Sequence, residues 1–110
     1  IFGSGKPLRE FLFVDELAEA CYFLMNKKHD YKIINIGSGE EISIFDLAKL
    51  ITKVLDYSVK IICDKTKPDG TSRKLLDSKL INNLGWTPKV FLNKGIELTY
   101  NDYCNNNPRI

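Results

Sequence analysis

The chain has 110 residues, 44% of them hydrophobic, and a formal net charge of +2 at pH 7. That length holds one domain or part of a larger one, and that apolar fraction argues against global disorder. A charge this small does not by itself imply a nucleic-acid partner, and no apolar run approaches the ~20 residues needed to span a bilayer. The chain opens on Ile1-Phe2-Gly3-Ser4-Gly5, without a methionine, a basic start or a long apolar core. No signal peptide is read there, and the sequence is expected to be an excised segment. Cys21, Cys63 and Cys104 are far apart and form no Cys-x-x-Cys, so a zinc site is not expected. Two of them fall on apolar positions, which suggests small buried hydrophobes in a reducing, cytoplasmic compartment.

Gly3, Gly5 and Pro7 punctuate a turn. Arg9 to Val14 is rich in aromatic and β-branched residues and predicts a strand, with Asp15 capping the helix after it. Arg9 has two readings: a surface arginine paired with Glu10 or solvated, which the local residues favour, and a planar fork for a phosphate or carboxylate. From Glu16 to about Lys28 the spacing is helical, with Leu17, Ala20, Cys21, Leu24 and Met25 on one stripe. Ile33 to Ile36 reads as a buried strand ending in Gly37-Ser38-Gly39. Two glycines there invite a phosphate-loop reading, but Ile42 stands where the third is needed, and a tight turn is favoured. Ser43 and Asp46 form a capping-box pattern for a helix reaching Leu55, whose apolar face is Ile44, Leu47, Ala48, Ile51 and Leu55. Val59 to Cys63 reads as a third strand.

Asp64 to Lys74 contains the turn Pro68-Asp69-Gly70, flanked by Lys65, Lys67, Arg73 and Lys74. It is either a solvated basic loop or an anion site in which cations and turn amides face a phosphate. Asp77 or Ser78 caps a short helix, Lys79 to Leu84, closed by Gly85. Trp86 reads as a hydrophobic anchor beneath a last helix running from Phe91 to about Tyr103. The expected buried set is Leu17, Cys21, Leu24, Ile34, Ile36, Leu47, Ile51, Ile61 and Trp86, and an excised lobe should also expose an apolar patch.

Phe2-Gly3-Ser4-Gly5 followed by Arg9-Glu10-Phe11-Leu12-Phe13-Val14-Asp15 resembles the start of the substrate-binding lobe of extended short-chain dehydrogenase/reductases acting on nucleotide sugars. Asn35-Ile36-Gly37-Ser38-Gly39 and Leu84-Gly85-Trp86-Thr87-Pro88 are similar to two further elements of that family. Lys67-Pro68-Asp69-Gly70-Thr71-Ser72-Arg73-Lys74, continuing into Leu75-Leu76-Asp77, resembles its GDP-L-fucose synthase branch in particular. The matches run from Phe2 to about Tyr100.

The resemblance implies an α/β fold: the small C-terminal substrate-binding lobe of a Rossmann-type enzyme, with about three short strands and four helices. Residues 1–104 would be the nucleotide-sugar-binding domain and 105–110 a disordered tail. It implies an enzyme that converts GDP-4-keto-6-deoxy-D-mannose to GDP-L-fucose by epimerisation and NADPH-dependent reduction. NADPH would bind outside this segment, and no metal is implied. The implied partners are the GDP-sugar and an N-terminal Rossmann domain of the same chain, in a homodimer, with neither nucleic acid nor membrane involved. By resemblance Arg9 would hold the diphosphate, and Asp69 and Lys74 would face the nucleotide end. Phe2 stands where the family often carries tryptophan, beside the base or sugar. The family's Tyr-x-x-x-Lys pair is absent, since no tyrosine here has a lysine four residues on, so no catalytic residue is assigned to this segment. The alternatives are a lobe of another NAD(P)-dependent nucleotide-sugar epimerase or dehydratase, and a binding module without catalysis.

Overall fold

A computed structural model describes residues 1–106. Three strands, β1 (Leu8–Glu10), β2 (Glu41–Ser43) and β3 (Arg73–Lys74), form one sheet in the order β2-β1-β3. The helices are α1 (Val14–Asn26), α2 (Ile44–Val54), α3 (Lys79–Leu84) and α4 (Leu92–Asn106). β1 runs antiparallel to β2, with Leu8, Arg9 and Glu10 opposite Ser43, Ile42 and Glu41. It runs parallel to β3, with Leu8 and Arg9 beside Arg73 and Lys74.

Where the sequence carries its own stop and start signals, the elements fall as expected. The Ser43 hydroxyl accepts the Asp46 amide at 3.0 Å and donates to the Asp46 carboxylate at 2.6 Å, so the first turn of α2 is capped locally. Two more of its orphan amides are met from the chain's opening turn: Ile44 donates to the Pro7 carbonyl and Phe45 to that of Gly5. This close approach needs glycine, because a Cβ on Gly5 would lie 2.9 Å from the Phe45 Cβ. α3 starts where the Asp77 carboxylate accepts the Lys79 amide, and ends at Gly85, whose φ of 110° lies in the left-handed region.

The strands differ from expectation. β1 ends at Glu10, so Phe11 to Phe13 are not strand, and α1 begins at Val14 with Phe13 as its cap. Asp15 is therefore the second residue of the helix, where a carboxylate favours the dipole without capping it. Ile33–Ile36 and Val59–Cys63, the two most strand-like runs after β1, join no ladder. A strand needs a hydrogen-bonded neighbour, and among the described residues none lies beside Ile33–Ile36. The second run is met by the opening of the chain, where the Ile1 amino group donates to the Ile62 carbonyl at 2.8 Å next to a parallel bridge between Phe2 and Asp64. The strands that do form, Glu-Ile-Ser and Arg-Lys, have little β propensity and are held by their register on β1.

Burial is sparser than the periodicity implies. The core is Ala20, Ile81 and Trp86, with Leu12, Phe23, Leu24, Ile34 and Ile36 packed around it. Trp86 is thus an anchor, but its buried partners come from α1 and α3 rather than from the last helix. Leu17, Cys21 and Ile51 are exposed, and Leu47 and Ile61 only half-buried. Val14, Leu17, Cys21 and Met25 of α1, at helical spacing, all face outward, and Ile33 is 83% exposed. The expected apolar surface is present. The cysteines are free, and none is buried: Cys21 and Cys104 are exposed and Cys63 half-buried. The radius of gyration is 16.5 Å, against about 13 Å for a compact domain of this size. α4 continues to Asn106, two residues past the expected end of order at 104, and residues 107–110 lie outside the described region. No described helix is long and apolar enough to cross a membrane.

With so small a core, its one fully buried large side chain carries an outsized share of stability. Ile81→Ala should cost about 2–5 kcal/mol, the range for emptying a packed aliphatic site. Denaturant melts of the two proteins would measure it, and a loss under 1 kcal/mol would show that this cluster is not the core.

Candidate functional site

Side chains alternate along a strand, so the register of β1 sorts its neighbours onto two faces. Leu8 and Glu10, with Glu41 and Ser43 of β2 and Arg73 of β3, share one face. Arg9 shares the other with Ile42 and with Lys74, its direct partner on β3. Among the described residues neither Arg9 nor Lys74 pairs with a carboxylate. Two unneutralised cations side by side repel, and an anion between them relieves that repulsion.

Arg9 is half-buried and fixed by the backbone. Its Nη1 donates to the carbonyls of Leu8 at 2.6 Å and Thr71 at 2.8 Å. This leaves its other guanidinium nitrogens for a bidentate acceptor. Nη2 lies against Gly70, where an added Cβ would sit 3.2 Å from it. Pro68-Asp69-Gly70 and Arg9, distant in sequence, are therefore neighbours, but the expected turn lies earlier: residues 68–70 are irregular, and the hydrogen-bonded turn is at Lys65–Thr66, where the Lys67 amide donates to the Asp64 carbonyl at 3.2 Å. The reading of Arg9 as a partner of Glu10 does not hold, because alternation sends Glu10 to the opposite face.

Asp69 is tied to the opening turn. Its Oδ1 accepts the Ser4 amide at 2.6 Å and its Oδ2 the Ser4 hydroxyl at 2.7 Å. These bonds, the hydroxyl first and then the amide, hold the Asp69 carboxyl below its usual range. Gly3 lies directly beneath, with φ of 76°, and a side chain there would collide with Asp69 Oδ1. Phe2, 77% exposed, stands next to this latch. The Gly3-Ser4 turn, Asp69 and Arg9 thus lie close together, and Lys74 stands beside Arg9 in the ladder.

Not every cation expected around residues 68–70 serves them. Arg73 reaches across β1 on the other face and donates from Nε and Nη2 to Glu41, at 2.7 and 2.6 Å. This fork holds the Glu41 carboxyl low and Arg73 high, so Arg73 is a structural partner and not a free anion ligand. The Gly37–Gly39 segment bends at Gly39, whose amide is already used: it donates to Glu10 Oε1 at 2.6 Å. Sequence reading missed Ser4 and Glu10, since nothing local marks a partner more than sixty residues away. Two cavities of about 560 Å³ each flank Phe11, Val90 and Leu92, and neither includes Arg9, Asp69 or Lys74. No group of described residues is arranged to hold a metal ion.

With this geometry established, comparison with known proteins is informative. The profile of the NAD dependent epimerase/dehydratase family matches residues 1–37. GDP-L-fucose synthase 1 of Arabidopsis thaliana is 50% identical over 106 residues, covering 96% of this chain. The chain is a homologue of GDP-L-fucose synthase. It spans about a third of that relative's length, 33%. Among solved structures, the GDP-6-OMe-4-keto-L-xylo-heptose reductase of Campylobacter jejuni superposes with a TM-score of 0.86 at 32% identity, over 97% of this chain and 34% of that one. The NADP-bound GDP-mannoheptose C4 reductase from Campylobacter jejuni gives 0.79 at 31%, over 94% and 34%. The fold of this chain is therefore shared with about a third of these nucleotide-sugar reductases, and the resemblance carried by Arg9–Asp15 and Lys67–Lys74 extends over nearly the whole chain.

The glycines of the site are not equivalent. Gly39→Ala meets nothing within 4 Å and should cost only the left-handed backbone term, about 1–2 kcal/mol. Gly3→Ala adds the collision with Asp69 and should cost clearly more in the same denaturant melts; equal losses would show that the Asp69 latch is not formed. Stability should also depend on acid. Asp69, Asp64 and Glu41 have carboxyls lowered by their hydrogen bonds to Ser4, Thr66 and Arg73. A carboxyl lowered in the folded state contributes fully above its unfolded value and loses that contribution as pH falls through the folded one. The melting midpoint should be flat near neutrality and drop below about pH 4. Asp69→Asn should be less stable at pH 7 with a shallower acid limb, and an unchanged limb would refute the assignment.

Proposed function

We propose that this chain is the nucleotide-sugar-binding part of a longer GDP-L-fucose synthase. The observation that carries the reading is the pair of uncompensated cations on one sheet face, Arg9 and Lys74, with Arg9 against Gly70 of the Asp69 loop. Arg9 presents the fork that suits a diphosphate, and Lys74 adds a second positive charge. Each Asp69 oxygen retains a lone pair beyond its bond to Ser4, which a ribose hydroxyl or a guanine N–H can use. Phe2 offers an exposed aromatic face to a base or sugar.

The whole enzyme would convert GDP-4-keto-6-deoxy-D-mannose to GDP-L-fucose in the cytoplasm by epimerisation and reduction with NADPH, and work as a homodimer. This chain has no Tyr-x-x-x-Lys pair, so its part is to bind and orient the nucleotide end of the substrate. The proton and hydride steps belong to a Rossmann domain elsewhere in the longer protein. Two features support such a neighbour: the unpaired Ile33–Ile36 backbone, and the outward apolar stripe of α1.

Calorimetric titration of GDP into the longer protein tests the reading. Arg9→Ala should weaken binding by about 1.5–3 kcal/mol, the scale of hydrogen bonds to a charged group. Arg9→Lys should recover only part of it. Unchanged affinity in Arg9→Ala would return Arg9 to an ordinary surface residue. The 110-residue chain alone should bind GDP weakly and with strong salt sensitivity, because water screens a half-built site, and should neither bind NADPH nor turn over.

A further inference from the structure

We propose that Glu10 is a positioning residue: its carboxylate, on the face opposite the cations, sets where Arg9 and Lys74 stand. The inference rests on the functional reading above and deepens it by naming what builds the anion face. Glu10 is the last residue of the central strand, and two separate pieces of chain converge on its side chain. Oε1 accepts the Gly39 amide at 2.6 Å, from the bend leading into β2. Oε2 accepts the Leu76 amide at 3.1 Å, two residues beyond β3. Gly37 closes over it so tightly that a Cβ there would lie 2.5 to 2.7 Å from the carboxylate atoms.

The geometry explains why a side chain must do this. β3 is only two residues long, too short for ladder hydrogen bonds alone to hold its register firmly. The bond from Leu76 to Glu10 extends the β1–β3 attachment beyond the last ladder residue, so the place of Lys74 is held on both sides. The bond from Gly39 does the same for β2. Glu10 also stands directly opposite Glu41 in the ladder, an arrangement that is unfavourable for bare like charges. It is tolerated because each carboxylate has its own donors, two backbone amides for Glu10 and the Arg73 fork for Glu41. Glutamine keeps the length of Glu10 but has one acceptor oxygen and an NH₂ that faces the second amide as donor against donor. Aspartate keeps both acceptors but loses a methylene of reach.

The test is a double-mutant cycle read by GDP calorimetry on the longer protein, with the GDP Kd of the unaltered protein as reference. Glu10→Gln should weaken GDP binding about tenfold while the protein stays folded by circular dichroism. The readout that a merely structural role would not give is non-additivity. If Glu10 acts through Arg9 and Lys74, adding Glu10→Gln to Arg9→Ala should cost less than Glu10→Gln costs alone, the remainder passing through Lys74. Amide exchange at Gly39 and Leu76 should accelerate in Glu10→Gln more than at Ile81. Glu10→Gln with the original affinity, or losses that simply add, would overturn the inference and leave the functional reading standing. Failure of the unaltered protein to bind GDP would instead sink the functional reading, and this inference with it.

Discussion

The strand at Leu8–Glu10 is the piece on which everything else depends. It is short, central and paired on both edges, and its three side chains go to alternate faces. One face gathers carboxylates and spends them on backbone amides and an arginine. The other is left with two cations and no counter-charge. The separation of charge across a single strand makes the proposed anion site, and it follows from register: a slip by one residue would turn Arg9 toward Glu41 and abolish the cationic face.

Local chemistry explains which elements were legible in the sequence. α2 and α3 fall close to where they were read, because Ser43, Asp46, Asp77 and Gly85 act within a turn of themselves. The strands were not legible because β propensity describes a residue and pairing describes a neighbour. Ile33–Ile36 has the composition and lacks a partner, while Arg73–Lys74 has a partner and lacks the composition. The same distinction governs the site. Arg9 and Pro68-Asp69-Gly70 stood out through their motifs, and the fold brings them together. Ser4, Glu10 and the Arg73–Glu41 fork did not, since their meaning comes from residues 29 or more positions away.

Burial shows the limit of periodicity as a guide. A stripe at helical spacing states which face of a helix seeks cover, not whether cover exists. α1 presents Ala20 and Glu16 inward, and the Glu16 carboxylate accepts the Lys89 amide at 2.7 Å. A buried acid is tolerable on those terms because a backbone donor meets it. Val14, Leu17 and Met25 stay outside, where the reading by pattern put two of them in the core-facing stripe. The described residues hold one small cluster and a large apolar remainder, as a lobe would if its surroundings supply the rest of the packing.

The order of pairing in the sheet also has a kinetic consequence. Its two ladders join residues 8–10 to 41–43 and to 73–74, so both close long stretches of chain. Closing them costs entropy before any contact repays it, whereas α2 can form from its own cap outward. During synthesis Arg9 leaves the ribosome early and Lys74 late. For the whole interval the central strand has at most one neighbour, and its free edge is a template for other chains. The cationic face is therefore among the last features to mature, and a chain arrested before residue 74 would carry the arginine and the glycine turn without the second cation of the proposed site.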